Sequence, residues 1–378
     1  MEGRNKIIAG VSIVIPTRNR IDYVQCLFNS LHSELRTFDG LAEVIIIDNS
    51  DPEDSRLIAD LCEKYGYKFR FLGGSISESR NYGVEIAKYP IILFIDSDCE
   101  VTPGIIQEHL QSYTEEDIGG VLGLTNFTGK KNWIWRAIEK TSFLIAFSFA
   151  KRMEYALWGP CTNISFRKDV LNKAGGFRTE FPFDFSGEDV DIGLRINELG
   201  YKIKCNPNAV VNHARETWSN LWDFCKKIFR WGRTDFHILK NHHQLSDIDF
   251  PKFSTVLLFL FILSIIFNII GCGWKMVELL MIWLLCTPII ESFLRSCKTT
   301  LTDFFSYYLS FWFISIFEFG AIFESLRNRC LLMLHRKIVY GKGQLVFEWD
   351  NRVIKSWSYT LTLIVFLFVL LIGSGGLW

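Results

Sequence analysis

Over its first third the chain alternates short apolar runs with longer amphipathic stretches. Val11 to Ile15, Val44 to Ile47, Phe69 to Leu72 and Ile91 to Ile95 read as strands, with helices predicted over Tyr23 to Leu35, Ser55 to Tyr65 and Ser77 to Ala87. Strands such as Val44, Ile45, Ile46, Ile47 are apolar on both faces, as a sheet covered by helices on both sides requires. The pattern therefore predicts an α/β fold with a mostly parallel sheet flanked by helices. Three of these strands run into polar loops: Pro16, Thr17, Arg18, Asn19; Asp48, Asn49, Ser50; and Asp96, Ser97, Asp98. Open α/β sheets bind ligands at the carboxyl ends of their strands, so a crevice of nucleotide size is expected where these loops converge.

The rhythm breaks between Asn126 and Trp158. Trp133, Trp135, Arg136 and Lys140 precede an apolar stretch from Phe143 to Phe149 that is too short to span a bilayer. It suits a helix at the membrane interface, or equally one buried in the domain. Regular α/β character returns with Asn163 to Phe166, Lys168 to Lys173, a helix from about Gly187 to Leu199 and a strand near Val210. The predicted soluble domain is 1–249 and the predicted membrane region 250–378, with apolar segments at about 253–271, 275–291 and 357–375 near the roughly 20 residues of a membrane span. A further segment, 303–334, carries Glu318 and decides the topology. If it crossed, the basic stretch holding Arg327, Arg329, Arg336, Lys337, Lys342, Arg352 and Lys355 would face outward, against the positive-inside tendency. Three spans with 303–334 as a re-entrant or interfacial element is the favoured reading, and four spans the alternative.

Composition narrows the partners. The 378 residues balance 41 basic against 41 acidic side chains, which leaves no electrostatic footprint for nucleic acid. The 10 Cys are scattered without CxxC pairs, which argues for buried reduced thiols rather than a structural zinc or a disulfide framework. Met1 to Gly10 is charged and lacks a long apolar core, so no signal peptide is expected. The expectation is a multi-pass membrane protein with its soluble domain in the cytoplasm.

Two acidic clusters carry the candidate chemistry. If the backbone stays extended past Ile95, Asp96 and Asp98 point the same way and share one divalent cation, Mn or Mg, which would neutralise a diphosphate; a turn or helix cap is the plainer account of such a pair. Gly187, Glu188, Asp189, Val190, Asp191 opens a helix. Acids in a first turn stabilise a helix by about 0.3–1 kcal/mol each. The preceding loop Phe181, Pro182, Phe183, Asp184, Phe185, Ser186 is aromatic, and such a loop excludes water and raises the pKa of a neighbouring base.

In sequence and order these elements resemble a family 2 glycosyltransferase with the nucleotide-sugar-binding GT-A fold. Ser12 to Asn19 is similar to the family's first strand and nucleotide loop, and Asp48, Asn49, Ser50 stands where its aspartate-aspartate-glycine-serine turn is usual. Ser79, Arg80, Asn81, Tyr82, Gly83 resembles its helix beside the nucleotide, and Asp96, Ser97, Asp98 its metal motif. Trp158, Gly159, Pro160, Cys161, Thr162, Asn163 with Gly175, Gly176, Phe177 looks like the acceptor-side signature, and Gly187 to Asp191 like the catalytic one. The resemblance implies that Pro16, Thr17, Arg18, Asn19, Asp48, Asn49, Arg80 and Asp96 contact the donor nucleotide. It implies that Asp98, Asp96 and His213 hold the metal, that Asp189 is the general base, and that Glu188 orients or caps. Trp158, Gly159, Asn163, Arg230 and Trp231 would meet the acceptor or diphosphate. Lys227, Ile228, Phe229, Arg230, Trp231 departs from the QxxRW motif of processive members in its first residue. The implied reaction is inverting transfer of one sugar from a nucleotide-diphospho-sugar to a lipid-linked or membrane-associated acceptor in cell-envelope polysaccharide or glycolipid synthesis. A processive polysaccharide synthase or a non-catalytic nucleotide-sugar-binding protein is the alternative.

Overall fold

Nine strands form one mixed sheet among the residues described by the computed structural model, which are 10–378 apart from 181, 183–185, 250, 272–273, 298–299, 340–348 and 374–378. The strands are β1 (Val11–Thr17), β2 (Ala42–Asp48), β3 (Lys68–Phe71), β4 (Ile91–Ile95), β5 (Cys99–Val101), β6 (Ile118–Thr128), β7 (Tyr155–Ala156), β8 (Asn163–Arg167) and β9 (Lys202–Ala214). Their order is β3-β2-β1-β4-β8-β6-β9-β5, with β7 paired to β9. The helices up to residue 200 are α1 (Ile21–Thr37), α2 (Pro52–Tyr65), α3 (Ile76–Ile86), α4 (Ile105–Gln111), α5 (Trp133–Ile138), α6 (Phe149–Arg152), α7 (Lys168–Lys173) and α8 (Glu188–Glu198). The chain divides into two compact units, 1–130 with 144–217 and 131–143 with 218–378.

The expected βα rhythm forms through β4, and β1 pairs in parallel with both β2 and β4. Beyond it the sheet is not mostly parallel. β8 runs antiparallel to β4 and β6, and β5 and β7 antiparallel to β9, while β6 and β9 are parallel. Apolar runs specify strands but not their partners, which is why the direction of these later strands escaped the pattern. Nor is 143–149 one helix: a single 3₁₀ turn at Ala146–Ser148 leads into the short α6, with α5 upstream.

The first unit has a core on both sheet faces. Ile13, Ile15, Ile46, Leu93 and Ile95 meet Val24, Leu27, Phe28 and Leu31 of α1 and Ile58 of α2. On the opposite face Phe94 packs edge-on against Phe177, ring centroids 5.3 Å apart, and α3 lies so close to β1 that a Cβ at Gly83 would overlap Val14 Cγ1. A polar chain crosses the interior as well. Asn163 donates both Nδ2 hydrogens to the carbonyls of Leu124 (3.0 Å) and Ala209 (2.9 Å), so its Oδ1 accepts from His109 Nε2 at 2.9 Å. His109 Nδ1 then accepts from Ser165 Oγ (3.0 Å), which accepts from the Tyr113 hydroxyl (2.9 Å). Burial lowers the His109 pKa to about 4, which keeps the ring neutral as this chain of donors requires.

The second unit contains α5, α9 (Leu221–Asn241), the pair β10 (Ser246–Ile248) and β11 (Arg336–Ile338), and α10 (Phe253–Ile269), α11 (Trp274–Ser296), α12 (Leu301–Arg327) and α13 (Trp349–Gly373). By length and composition α11 and α12 are long and apolar enough to cross a membrane, while Phe253–Ile269 and Ile354–Leu370 are shorter apolar helices. Of the segment expected to be re-entrant or interfacial, 303–327 belongs to the unbroken 27-residue helix α12 and 332–334 forms a 3₁₀ turn. α9 and α12 touch backbone to backbone: a Cβ at Gly232 would overlap Phe317 O, and one at Gly320 would overlap Phe229 O.

Gly83→Val should lower stability by about 1–3 kcal/mol, the usual cost of overpacking, read as a lower thermal midpoint by circular dichroism. An unchanged midpoint would show that α3 can move off β1 freely.

Candidate active site

The loops after β1 and β2 are tied together before any ligand is considered. Asn19, in the left-handed region at φ 52°, donates its backbone N–H to Ser50 Oγ at 2.8 Å and exchanges bonds with Asp51. Asn49 N–H reaches Thr17 O (2.9 Å), and its side chain donates to Gly74 O (2.6 Å). Thr17 and Asp48 are register partners at the strand ends. Asp48 is fully buried; its Oδ1 accepts from Ser50 Oγ at 2.6 Å, whereas Asp48 Oδ2 and Thr17 Oγ1 are buried without a partner. One acceptor and one donor-acceptor are thus left unsatisfied at these two strand ends.

α3 begins with a full capping box, Ser75 and Glu78 bonding reciprocally, and it carries Arg80 into the interior. Only 3% exposed, Arg80 pairs through Nη1 with Glu188 Oε1 and through Nη2 with Asp96 Oδ1 (3.4 Å), its guanidinium 5.7 Å from the Phe177 ring centre. Asp96 Oδ2 also accepts from Thr162 Oγ1 at 2.8 Å. Asn81 fixes the 175–177 turn by two bonds with the Phe177 backbone. Arg80 was expected to lie beside the nucleotide; the structure places it as a bridge between the loop after β4 and the start of α8.

Asp96 and Asp98 do not point the same way. The chain turns at Ser97 and Asp98, with Cys99 N–H on Asp96 O at 3.2 Å, so the alternation of extended backbone does not apply. Asp96 faces Arg80 and Thr162. Asp98 instead faces His213, opposite β5 on β9, with Oδ1 3.3 Å from Nε2. Asp98, Cys99 and His213 form the group of potential ligands among the described residues. Burial pushes the Cys99 thiol well above its ordinary pKa. His213 and Asp98 do fit a cation. Nδ1 lies 3.0 Å from the Ala214 carbonyl, which can only accept, so a neutral ring presents its Nε2 lone pair to a carboxylate. Two acceptors so placed call for a shared proton or a metal ion.

Asp189 stands one residue into α8. Burial first, then the neighbouring Glu188 carboxylate, raise its pKa to about 7, and its Oδ1 accepts from Val190 N–H at 2.8 Å. Asp191 is committed elsewhere, fully buried between Arg178 (3.1 Å) and Arg195 (2.7 Å). Of the aromatic loop expected to shield Asp189, Phe181, Phe183, Asp184 and Phe185 lie outside the described residues.

The acceptor-side residues are placed differently from one another. Trp158 is buried with its ring edge-on to Phe149 (5.9 Å), Gly159 lies against Leu122, and Asn163 is fixed in the core chain above. They support the loop rather than line it, and Thr162 is the member that touches the carboxylates. Thr162, Asn81, Phe177 and Cys99 were not singled out from sequence, although the first three sit inside quoted motifs. Arg230 and Trp231 belong to α9 in the second unit, where the Trp231 ring meets Phe143 and Trp218, both at 5.8 Å. Pro16 lies within β1, and Arg18 is exposed in the loop after it.

Residues 12–175 match the sequence model of Glycosyl transferase family 2. Over that stretch the chain is similar to family 2 glycosyl transferases. Its mixed sheet flanked by helices is the GT-A arrangement that the resemblance implied. Among curated relatives, an O-antigen biosynthesis protein of Myxococcus xanthus is 25% identical over 54% of this chain and 17% of its own length. A probable glycosyltransferase of Bacillus subtilis is 23% identical over 62% of this chain and 57% of its own. The chain thus spans about a sixth of the first relative's length and little more than half of the second's. A mannosyltransferase from Pyrobaculum calidifontis, solved with GDP-Man and Mn2+, aligns at 13% identity with a TM-score of 0.48, covering 62% of this chain and 64% of that one.

Changing His213→Ala or Asp98→Asn should weaken Mn2+ binding by about ten- to a hundredfold, the scale on which even outer partners act on metal sites. Isothermal titration of the metal alone would measure it; wild-type affinity in both variants would leave the pair as a simple hydrogen bond.

Proposed function

We propose that the protein is an inverting, metal-dependent glycosyltransferase. It moves one sugar from a nucleotide-diphospho-sugar to a hydroxyl of a lipid-linked or membrane-associated acceptor at the cytosolic membrane face. The observation that carries this reading is Asp189, a carboxylate with its pKa near 7 beside a donor-side cluster tied to its helix by Arg80. A general base works best with a pKa close to the working pH. Asp189 takes the proton from the acceptor hydroxyl, while Glu188, held by Arg80, keeps the first turn of α8 in place.

Donor binding is assigned to the loops after β1, β2 and β4. Asp48 Oδ2 and Thr17 Oγ1 meet the base edge, with Arg18, Asn19 and Asn49 around them. Asp98 and His213 would hold a divalent cation, Mn or Mg, close to Asp96; when bound, the cation supplies charge neutralisation for the departing diphosphate. Transfer of a single sugar is favoured because the Trp231 ring is engaged by Phe143, Trp218 and the Lys227 ammonium, 5.5 Å from its centre. The apolar helices of 250–378 support a membrane anchor for the catalytic part, 1–249.

Nucleoside diphosphate release from a panel of UDP-, GDP- and dTDP-sugars, with Mn2+ or Mg2+ and with or without lipid extract, tests the reading. Release from one donor that rises with lipid and disappears in Asp98→Ala is expected; binding of donor without release under any condition would overturn transferase activity. Asp189→Asn should cut turnover by about two to four orders of magnitude while donor binding, measured by titration, stays near wild type. Because the raised pKa keeps Asp189 protonated below about 7, the wild-type rate should climb as pH rises through that value and level off above it. A flat profile from pH 6 to 8 would remove Asp189 from the role of base.

A further inference from the structure

The longest apolar helix, α12, passes the length and composition test for a membrane span, yet its bonds within the second unit hold it at one level. Ser254, in the first turn of α10, donates its hydroxyl to Glu318 at 2.6 Å, about two-thirds of the way along α12. The next residue, Thr255, donates to the Leu334 carbonyl at 2.7 Å, beyond the end of α12. Residues 318 and 334 are therefore fastened to adjacent positions, so the chain that runs on from Glu318 through the end of α12 returns to the level it left. Polar structure gathers at that level. Lys252 Nζ donates to Met333 O (3.0 Å) and Arg336 O (2.5 Å), β10 pairs with β11, and Lys355 at the foot of α13 meets Asp249 at 3.3 Å. A hydrogen-bonded ladder carrying Asp247, Arg336 and Lys337 does not belong in hydrocarbon.

A second observation agrees. α9 follows α12 from Phe224 against Phe313 (4.9 Å) to Arg233 against Glu324 (2.7 Å). It carries Asp223, Lys226, Arg230 and Lys240 at exposed positions. A helix so charged cannot accompany its neighbour through the middle of a bilayer. The rest of α12 presents Phe305, Leu309, Trp312, Ile316, Phe319 and Phe323 at alternating spacings of four and three, each at least partly accessible. That spacing is one continuous stripe along a helix roughly 40 Å long at 1.5 Å per residue.

We propose that α12 does not cross the membrane but lies along its polar boundary, stripe against the lipid and α9 on the aqueous side, so that both its ends face the same compartment. This rests on the membrane association proposed above. Three crossings, by α10, α11 and α13, would remain, and the basic residues after α12 would stay on the side of the catalytic domain.

The native cysteines supply reporters: Cys297, exposed, lies just before α12, and Cys330, half-buried, just after it. Spheroplasts producing the unmodified full chain would be treated with an impermeant maleimide before and after permeabilisation, and labelled peptides identified by mass spectrometry. Protection of both cysteines until permeabilisation is expected. Labelling of one from outside and the other only from inside would overturn the proposal while leaving membrane association intact. Labelling of both from outside would keep the placement of α12 and overturn the cytosolic reading. Extraction of the chain by carbonate wash would overturn membrane association itself. Nitroxide depth measurements at Phe305→Cys, Trp312→Cys and Phe323→Cys give a second readout: equal shallow depths are expected, and a maximum at residue 312 would signal a crossing helix.

Discussion

A buried guanidinium joins the two halves of the candidate chemistry. Arg80, with almost no exposure, sits between Asp96 after β4 and Glu188 at the start of α8. Removing one partner of such a buried pair typically costs about 3–5 kcal/mol, because the remaining charge is left uncompensated. The turn that carries Asp96 and Asp98 and the helix that carries Asp189 are therefore positioned by one side chain. Around it the fit is tight: Phe177 covers the guanidinium, Asn81 fixes the Phe177 backbone, and Thr162 takes the other oxygen of Asp96.

This arrangement separates carboxylates that look alike in sequence. Asp191 is neutralised by two arginines and serves to hold α8, Glu188 is spent on Arg80, and Asp189 is left half-buried beside a like charge. Desolvation and repulsion both favour its protonated form, so its affinity for a proton rises to where acid-base chemistry near neutrality becomes efficient. Asp96 and Asp98 divide in the same way, one turned to Arg80 and Thr162, the other to His213. In each case the neighbours, not the residue type, decide which carboxylate is structural and which is available.

The second unit shows the same principle applied to hydrophobicity. α12 is apolar enough to be read as a span, and its small residues allow α9 to approach until backbones touch at Gly232 and Gly320. What it does depends on what flanks it: a charged helix on one side, and the first turn of α10 bonded to Glu318 in its C-terminal half and to Leu334 beyond its end.

Much of this was legible in the sequence. The strands up to Ile95, their intervening helices, the three polar loops at the strand ends and the helix opening at Glu188 all follow from local periodicity, because covering a strand on both faces or one side of a helix leaves its mark every residue or every third and fourth. The resemblance located the family from motif order alone. Strand direction beyond β4, the turn that parts Asp96 from Asp98, the reach of Thr162 and the pairing of Cys99 with His213 across β5 and β9 could not be read, since each depends on residues far apart in sequence. Trp158 and Asn163 make the point most directly: a motif marked them as acceptor residues, and packing placed both beneath the surface. Sequence determined which elements form and which chemical groups are present; only tertiary contact decided which groups are desolvated, paired or left available, because those properties belong to an environment assembled from distant parts of the chain.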